Sequence, residues 1–299
     1  MIDRLRHILS LLEQENVPKE KVIVILGPTA SGKTKLAVQL AQRINAEIIS
    51  ADSRQIYRRM DIGTGKDLSE YQDIPYHLID IQEPGTKYNL GNFIIDFNQA
   101  YQSVLKKDKY TILCGGTGLY LQSVIQQKPY ALIPSITGFK EALLGQTRPA
   151  LMDRLKTYTC PLDLQIDCST DKRIIRAIEI LEFLQQNPDF KPQQQAPEVF
   201  VIGLNPPLEK RRTGISKRLK ERIENGFLQE VEQLLAGGLT HEQLQYYGLE
   251  YKYASLYLLG EMDYSIFFTK LETEIHRYAK RQMTYFRKME KDGINIHWI

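Results

Sequence analysis

At 299 residues the chain has room for one large domain or two modest ones, and its 42% hydrophobic and 25% charged residues are the proportions of an ordinary soluble globular protein. The net charge of +3 does not by itself demand a nucleic acid, and no apolar run approaches the roughly 18 residues that span a bilayer. Cys114, Cys160 and Cys168 are odd in number and form no C-x-x-C pair, which argues against a disulfide framework and a zinc module and favours a cytoplasmic protein with no membrane partner.

Along residues 1–20, Ile2, Leu5, Ile8, Leu9 and Leu12 fall on one helical face; acids and the lack of a long apolar core argue against a signal peptide. Val22–Leu26 reads as a buried parallel strand. It runs into GPTASGKT at Gly27–Thr34, which fits G-x-x-x-x-G-K-[ST], the loop that cradles phosphates. Leu36, Ala37 and Leu40 then take helical spacing, so strand, Gly-rich turn and helix start come in the required order. Backbone N–H groups and the positive helix end converge on an anion there. Gly27, Pro28, Thr29, Ala30, Ser31, Gly32, Lys33 and Thr34 are therefore candidate ligands of a diphosphate or triphosphate. Lys33 supplies a point charge and Thr34 a hydroxyl for Mg²⁺.

Further strands are expected at Glu47–Ala51, Tyr76–Asp80 and Tyr110–Cys114, with helices near Thr34–Ile44 and Asn92–Lys106. This βαβ alternation is that of an open parallel sheet, whose ligands bind beyond the carboxyl ends of its strands. Asp52 follows the second strand and should share the phosphate-loop rim, able to ligate Mg²⁺ or accept a substrate proton. A helix N-cap is its plainer alternative. Arg54, Arg58 and Lys66 follow, and Gly63-Thr64-Gly65 would let backbone approach a ligand. Asp80 is the candidate for the acidic residue of a nucleotide hydrolase, and His77 reads as structural. In CGGTGLYL, the glycines after Cys114 clear space at a strand end and Thr117 offers a hydroxyl.

After Gly118 the pattern changes. Residues 126–197 read as a small, mainly helical insertion, including a helix at Asp171–Leu184 and a polar, Pro-bearing linker at Gln185–Pro197. The core, begun in residues 1–125, is completed by 198–299, with a strand at Val199–Leu204 and then helices with turns near Gly237–Gly238, Gly248 and Gly260. Two basic clusters, Asn205–Asn225 and His276–Lys291, suggest a docked polyanion or solvated helix faces. In the second, Arg277, Arg281, Thr284 and Lys288 share a face, while Tyr278 and Tyr285 would pack inward or stack on bases.

GPTASGKT, DSRQIYRRMDIGTGK, HLIDI, CGGTGLYL, DKRIIRAIE and YAKRQMTYFRK, in this order, resemble the tRNA dimethylallyltransferases (isopentenyl-tRNA transferases) from about residue 22 to the end. The resemblance implies an α/β, P-loop NTPase-like parallel-sheet core with a small, mainly helical insertion contributing to tRNA binding. It implies a phosphate loop, with Lys66, that holds dimethylallyl diphosphate, and Mg²⁺ as cofactor. The partner is the anticodon stem-loop of tRNA, modified at N6 of the adenosine 3′ of the anticodon (position 37) by a monomer. Asp52 is implied as general base, with Thr117 near the reacting centre. Contacts to tRNA are implied for Asp52, Ser53, Arg54, Gln55, Thr117, Lys172, Arg173, Ile174, Ile175, Arg176, Lys252, Arg277, Lys280, Arg281 and Gln282. The chain departs from the family pattern where ALIPSITGFK replaces an Asp-Pro-x-x-Arg-like stretch. It departs again where Gly248-Leu249-Glu250-Tyr251-Lys252 replaces Gly-Tyr-Arg/Lys-Glu/Gln. The rival readings are an adenylate isopentenyltransferase and a phosphate-loop kinase.

Overall fold

The computed structural model describes residues 2–126, 129–162, 164, 166–190 and 197–299. They form two units, Met1–Gln126 with Ala196–Ile299, and Gln127–Gln195. In the first unit α1 (Ile2–Gln14), β1 (Val22–Leu26), α2 (Lys33–Ile44), β2 (Ala46–Ala51), β3 (Tyr76–His77), α3 (Leu90–Lys106), β4 (Tyr110–Gly115) and α4 (Gly118–Ile125) follow one another. The second unit contains α5 (Phe139–Leu143), α6 (Arg148–Lys156) and α7 (Asp171–Gln186). The first resumes with β5 (Val199–Gly203), α8 (Leu208–Glu224), α9 (Phe227–Ala236), α10 (His241–Tyr246), α11 (Leu249–Leu258), α12 (Tyr264–Lys291) and β6 (His297–Trp298).

The strands form one sheet in the order β3-β2-β4-β1-β5-β6, every neighbouring pair parallel. Parallel strands buried on both faces must be apolar throughout, and β1 is VIVIL with all five residues buried. Alternation along the strand sends Val22, Val24 and Leu26 into one core, and Ile23 and Ile25 into another. The second core is closed by Ile8 of α1 and by Leu36, Ala37 and Leu40 of α2, which accounts for the amphipathic pattern of both helices. The first takes Phe93 and Phe97 of α3, Leu121 of α4, and the apolar faces of α8, α9, α11 and α12. Each such side chain contributes about 1.5–3 kcal/mol by leaving water.

β3 is shorter than the sequence suggests. Leu78 and Asp80 take positive φ (61° and 56°), so the chain turns away after His77 and the strand pairs through only two residues. His77 is structural, as expected: its Nε2 lies 2.8 Å from Oε2 of the buried Glu47, which also meets Lys107 and Lys109. In the second unit Leu143, Leu151, Ile174, Ile175 and Ile178 form a small core of their own. Of the expected linker, Gln185 and Gln186 complete α7, and residues 191–196 lie outside the described residues.

Candidate active site

The phosphate loop leaves β1 and enters α2 at Lys33. Its tight path needs left-handed backbone at Ala30 (φ 58°) and Gly32 (φ 80°), a region only glycine enters without steric cost. At Gly27 an added Cβ would stand 2.9 Å from Ser31 Oγ and 3.1 Å from Leu204 Cβ, so the first turn closes only around glycine. Ala30, Ser31, Gly32, Lys33 and Thr34 line a cavity of about 710 Å³, together with Lys66, Arg218 and Arg222. Ser31 Oγ is buried there with no hydrogen-bond partner. Burial holds the Lys33 ammonium below the usual lysine pKa, against the pull of Cys114 and Asp52 and with the push of Arg218 and Arg222. Cys114 itself is pushed up to about 12, chiefly by burial, and is an inert strand residue at neutral pH.

Asp52 stands just past the end of β2, half-buried. Its Oδ1 accepts from Arg54 N at 2.9 Å, a local turn that fixes the carboxylate without starting a helix, so the N-cap alternative is not what forms. Beside it, Thr117 N donates to Ala51 O (3.2 Å) and Thr117 Oγ1 accepts from Ser53 N (3.0 Å), fastening the ends of β4 and β2 to each other. The close approach depends on Gly115, where a Cβ would lie 2.2 Å from Ala51 O. Asp52, Thr117 and Lys33 thus share the carboxyl rim of β2, β4 and β1, three neighbours in the sheet. Tyr278 of α12 belongs to the same surroundings, its hydroxyl pushed up by burial and then by the charges of Asp52 and Glu250.

Several side chains expected to touch ligands do structural work instead. Gln282 is buried; its Oε1 accepts from Thr29 N at 2.9 Å and its Nε2 donates to Gly116 O at 2.8 Å. It ties the phosphate loop to the Thr117 turn, so both polar ends are unavailable to tRNA. Lys66 lines the cavity, but its ammonium donates to Tyr57 O, to Asp61 Oδ1 and to Asp80 Oδ1. All three donors are spent inside the loop, which corrects the assignment to diphosphate and also occupies Asp80, the hydrolase candidate. Ile174 and Ile175 are core residues of the second unit rather than tRNA ligands. Arg176 is held by Glu179 Oε2 and Ile133 O, both at 2.5 Å, and so braces its own unit.

Gln55 orders the Asp52 turn, accepting from Ser50 Oγ and donating to Gly65 O. Arg54 lies 5.5 Å over the Tyr246 ring. Lys172, Lys252, Lys280 and Arg281 are exposed, as are Arg173, paired with Asp167, and Arg277, paired with Glu274. Tyr285 packs against Gly118 and donates to Gln122 Oε1.

Reading the sequence alone missed Glu230. Its carboxylate accepts from the backbone N of Asp61, Ile62 and Gly63 at 2.8, 2.6 and 3.1 Å, and from Tyr251 OH at 2.6 Å. It also missed Arg218 and Arg222 as cavity walls, although their spacing of four on α8 was a usable signal.

The IPP transferase family model matches residues 55–289 of the chain. The chain belongs to that family. An isopentenyl transferase model also matches residues 20–74. The IPP transferase reading extends to whole relatives. The tRNA dimethylallyltransferase 2 of Phocaeicola vulgatus is 49% identical over 288 residues, covering 94% of this chain and 92% of the relative. That of Porphyromonas gingivalis is 49% identical over 282 residues, 93% of each chain. Among solved structures, the tRNA isopentenylpyrophosphate transferase of Bacillus halodurans aligns with a TM-score of 0.68 at 32% identity, over 94% of this chain and 90% of that one. A eukaryotic dimethylallyltransferase acting on tRNA aligns with a TM-score of 0.73 at 25% identity, over 93% and 73%. The P-loop NTPase-like fold expected from the sequence is the fold of these IPP transferase relatives.

Proposed function

We propose that the chain prenylates tRNA, moving a dimethylallyl group from dimethylallyl diphosphate to N6 of the adenosine 3′ of the anticodon, position 37, in tRNAs that read codons beginning with U. The observation that carries the reading is the shared rim. A phosphate loop with Lys33, the Asp52 carboxylate and Thr117, which is tied to Ser53, meet at the ends of three adjacent strands. Asp80, the candidate acid of a nucleotide hydrolase, is engaged by Lys66. The tRNA dimethylallyltransferase relatives support the same activity over nearly the whole chain.

The chemistry follows from these side chains. Backbone N–H groups of the loop and the Lys33 ammonium neutralise charge as the carbon–oxygen bond to diphosphate breaks. Allylic resonance spreads the positive charge left on carbon, and N6 of the adenine attacks it. Asp52 accepts the N6 proton as the new bond makes that nitrogen acidic, so its low ordinary pKa is no obstacle. The Ser53 N–H donates to Thr117 Oγ1, and the hydroxyl proton has a long contact of 3.4 Å to Ser53 Oγ that it can exchange for the target nucleotide or the diphosphate. The adenine must leave its stack to reach this rim, and the exposed face of α12 with Arg277, Lys280 and Arg281 supplies cations for RNA phosphates.

Thr34 lines the cavity and its hydroxyl would offer magnesium one oxygen ligand. No group of three or more His, Cys, Asp or Glu gathers for a metal among the described residues, which suits an ion that arrives with its diphosphate and takes most ligands from phosphate and water. When bound it would stabilise the departing diphosphate. A tRNA substrate accords with a cytoplasmic enzyme, and among the described residues no helix is long and apolar enough to cross a membrane.

The test incubates the protein, Mg²⁺ and dimethylallyl diphosphate with an unmodified anticodon stem-loop, and separately with AMP, ADP and ATP. Mass spectrometry is expected to find one added C5H8 group on the RNA alone, lost in Asp52→Ala. Transfer to free nucleotides only, or none with active controls, would overturn the proposal.

A further inference from the structure

Arg222 is a buried cation with poor partners. Its side chain is 13% exposed, and Nε is buried without a hydrogen bond. Nη1 stands 3.4 Å from both Gly63 O and Glu250 Oε1, at the outer edge of hydrogen-bonding distance. A desolvated guanidinium held this loosely is costly unless another partner arrives. Yet the fold keeps a place for it. A Cβ on Gly65 would lie 1.6 Å from Arg222 Nη2, so the Gly63–Gly65 turn is bare where the guanidinium rests.

The surroundings point to an anion. Arg222 lines the cavity that also holds Lys33 and Ser31, whose hydroxyl is the other buried, unpartnered group of the wall. Arg218, one turn earlier on α8, is already bound to Asp67 and Gly65 O. Burial and the neighbouring Arg218, whose guanidinium also meets Gly65, both hold Arg222 below its ordinary pKa, and a bound anion would relieve both.

We propose that Arg222 is a ligand of the substrate's diphosphate, with Glu250 as the resting counter-ion that it exchanges for phosphate oxygens. The inference rests on the function proposed above and adds a residue to its site. A guanidinium binds phosphate through two parallel N–H donors, whereas Glu250 now offers one long contact. Glu250 therefore competes with the diphosphate and sets its affinity.

Calorimetry of inorganic diphosphate with Mg²⁺, on the full chain without RNA, tests this. Arg222→Gln is expected to weaken binding about 10- to 100-fold, the range of a lost charge-assisted contact. Arg222→Lys should recover part of it, and Glu250→Gln should tighten binding several-fold. Thermal midpoints without ligand establish that each variant is folded. Unchanged affinity in Arg222→Gln, with Lys33→Ala weakened, overturns the proposal and leaves the phosphate loop standing. Should Arg222→Gln not fold, Glu250→Gln decides, and unchanged or weaker binding there overturns it. If the unaltered protein binds no diphosphate, or Lys33→Ala changes nothing, the proposed function fails and takes this inference with it.

Discussion

Replacing Gln282 by alanine separates bracing from recognition. The side chain makes two hydrogen bonds, 2.9 Å from Thr29 N and 2.8 Å to Gly116 O, and among the described residues no other side chain supplies either one. Gly116 is buried and Thr29 half-buried, so truncation strands one carbonyl fully and one N–H partly. A stranded buried polar group costs about 1–3 kcal/mol and a half-buried one less, giving about 2–4 kcal/mol in all. In a unit of this size that lowers the thermal midpoint by about 5–12 °C. Because Thr29 belongs to the phosphate loop, KM for dimethylallyl diphosphate should rise, while affinity for unmodified tRNA changes little. Gln282→Glu keeps the acceptor for Thr29 and loses the donor to Gly116, so it should fall between the two. Thermal unfolding, steady-state kinetics and tRNA gel shifts on the three proteins check this. A variant of unchanged stability and donor KM that has lost tRNA affinity would show that Gln282 reads RNA after all.

Lys66→Met leaves Asp61 and Asp80 facing without their cation and should destabilise the protein by about 2–4 kcal/mol in urea unfolding. A large loss of diphosphate affinity at unchanged stability would restore Lys66 as a ligand. Although burial opposes it, hydrogen bonds from His77, Lys107 and Lys109 hold the Glu47 carboxyl near pKa 2, below an ordinary value of 4.5. A depressed carboxyl stabilises above its unfolded pKa, so up to about 3 kcal/mol should disappear as pH falls from about 4.5 to about 2. Urea midpoints should show that slope, and Glu47→Gln should flatten it. Arg281→Ala should weaken tRNA binding about equally for all tRNAs and reduce the slope of log affinity against log salt by about 0.7–0.9. A changed tRNA preference at constant salt slope would contradict a phosphate contact.

Local pattern carried the sheet and the phosphate loop: VIVIL can only be a strand buried on both faces, and GPTASGKT places its own helix start. The rim position of Asp52 followed from topology. What the sequence concealed was the far partner. Gln282 looked like one more polar residue on a basic helix, because its contact to Gly116 spans 166 residues. Gly63 and Gly65 looked like places for a ligand to approach, but Tyr251, Phe227 and Arg222 fill them from elsewhere in the chain. The DKRIIRAIE match likewise did not distinguish outward Lys172 and Arg173 from Ile174 and Ile175, which build the core that presents them. β6, a two-residue edge strand, is too short for any periodicity to show.

The Glu230 carboxylate has a consequence for anion selectivity. Three consecutive N–H groups at Asp61, Ile62 and Gly63 make a concave donor set of the kind that ordinarily captures a phosphate or sulfate from solution. Here the chain fills that socket with its own acid, permanently, and Tyr251 latches it. Of the two backbone anion receptors described, the Asp61–Gly63 turn is plugged from within by Glu230 and the phosphate loop is not. Inorganic phosphate or excess diphosphate that contests the phosphate loop should therefore inhibit competitively with the prenyl donor.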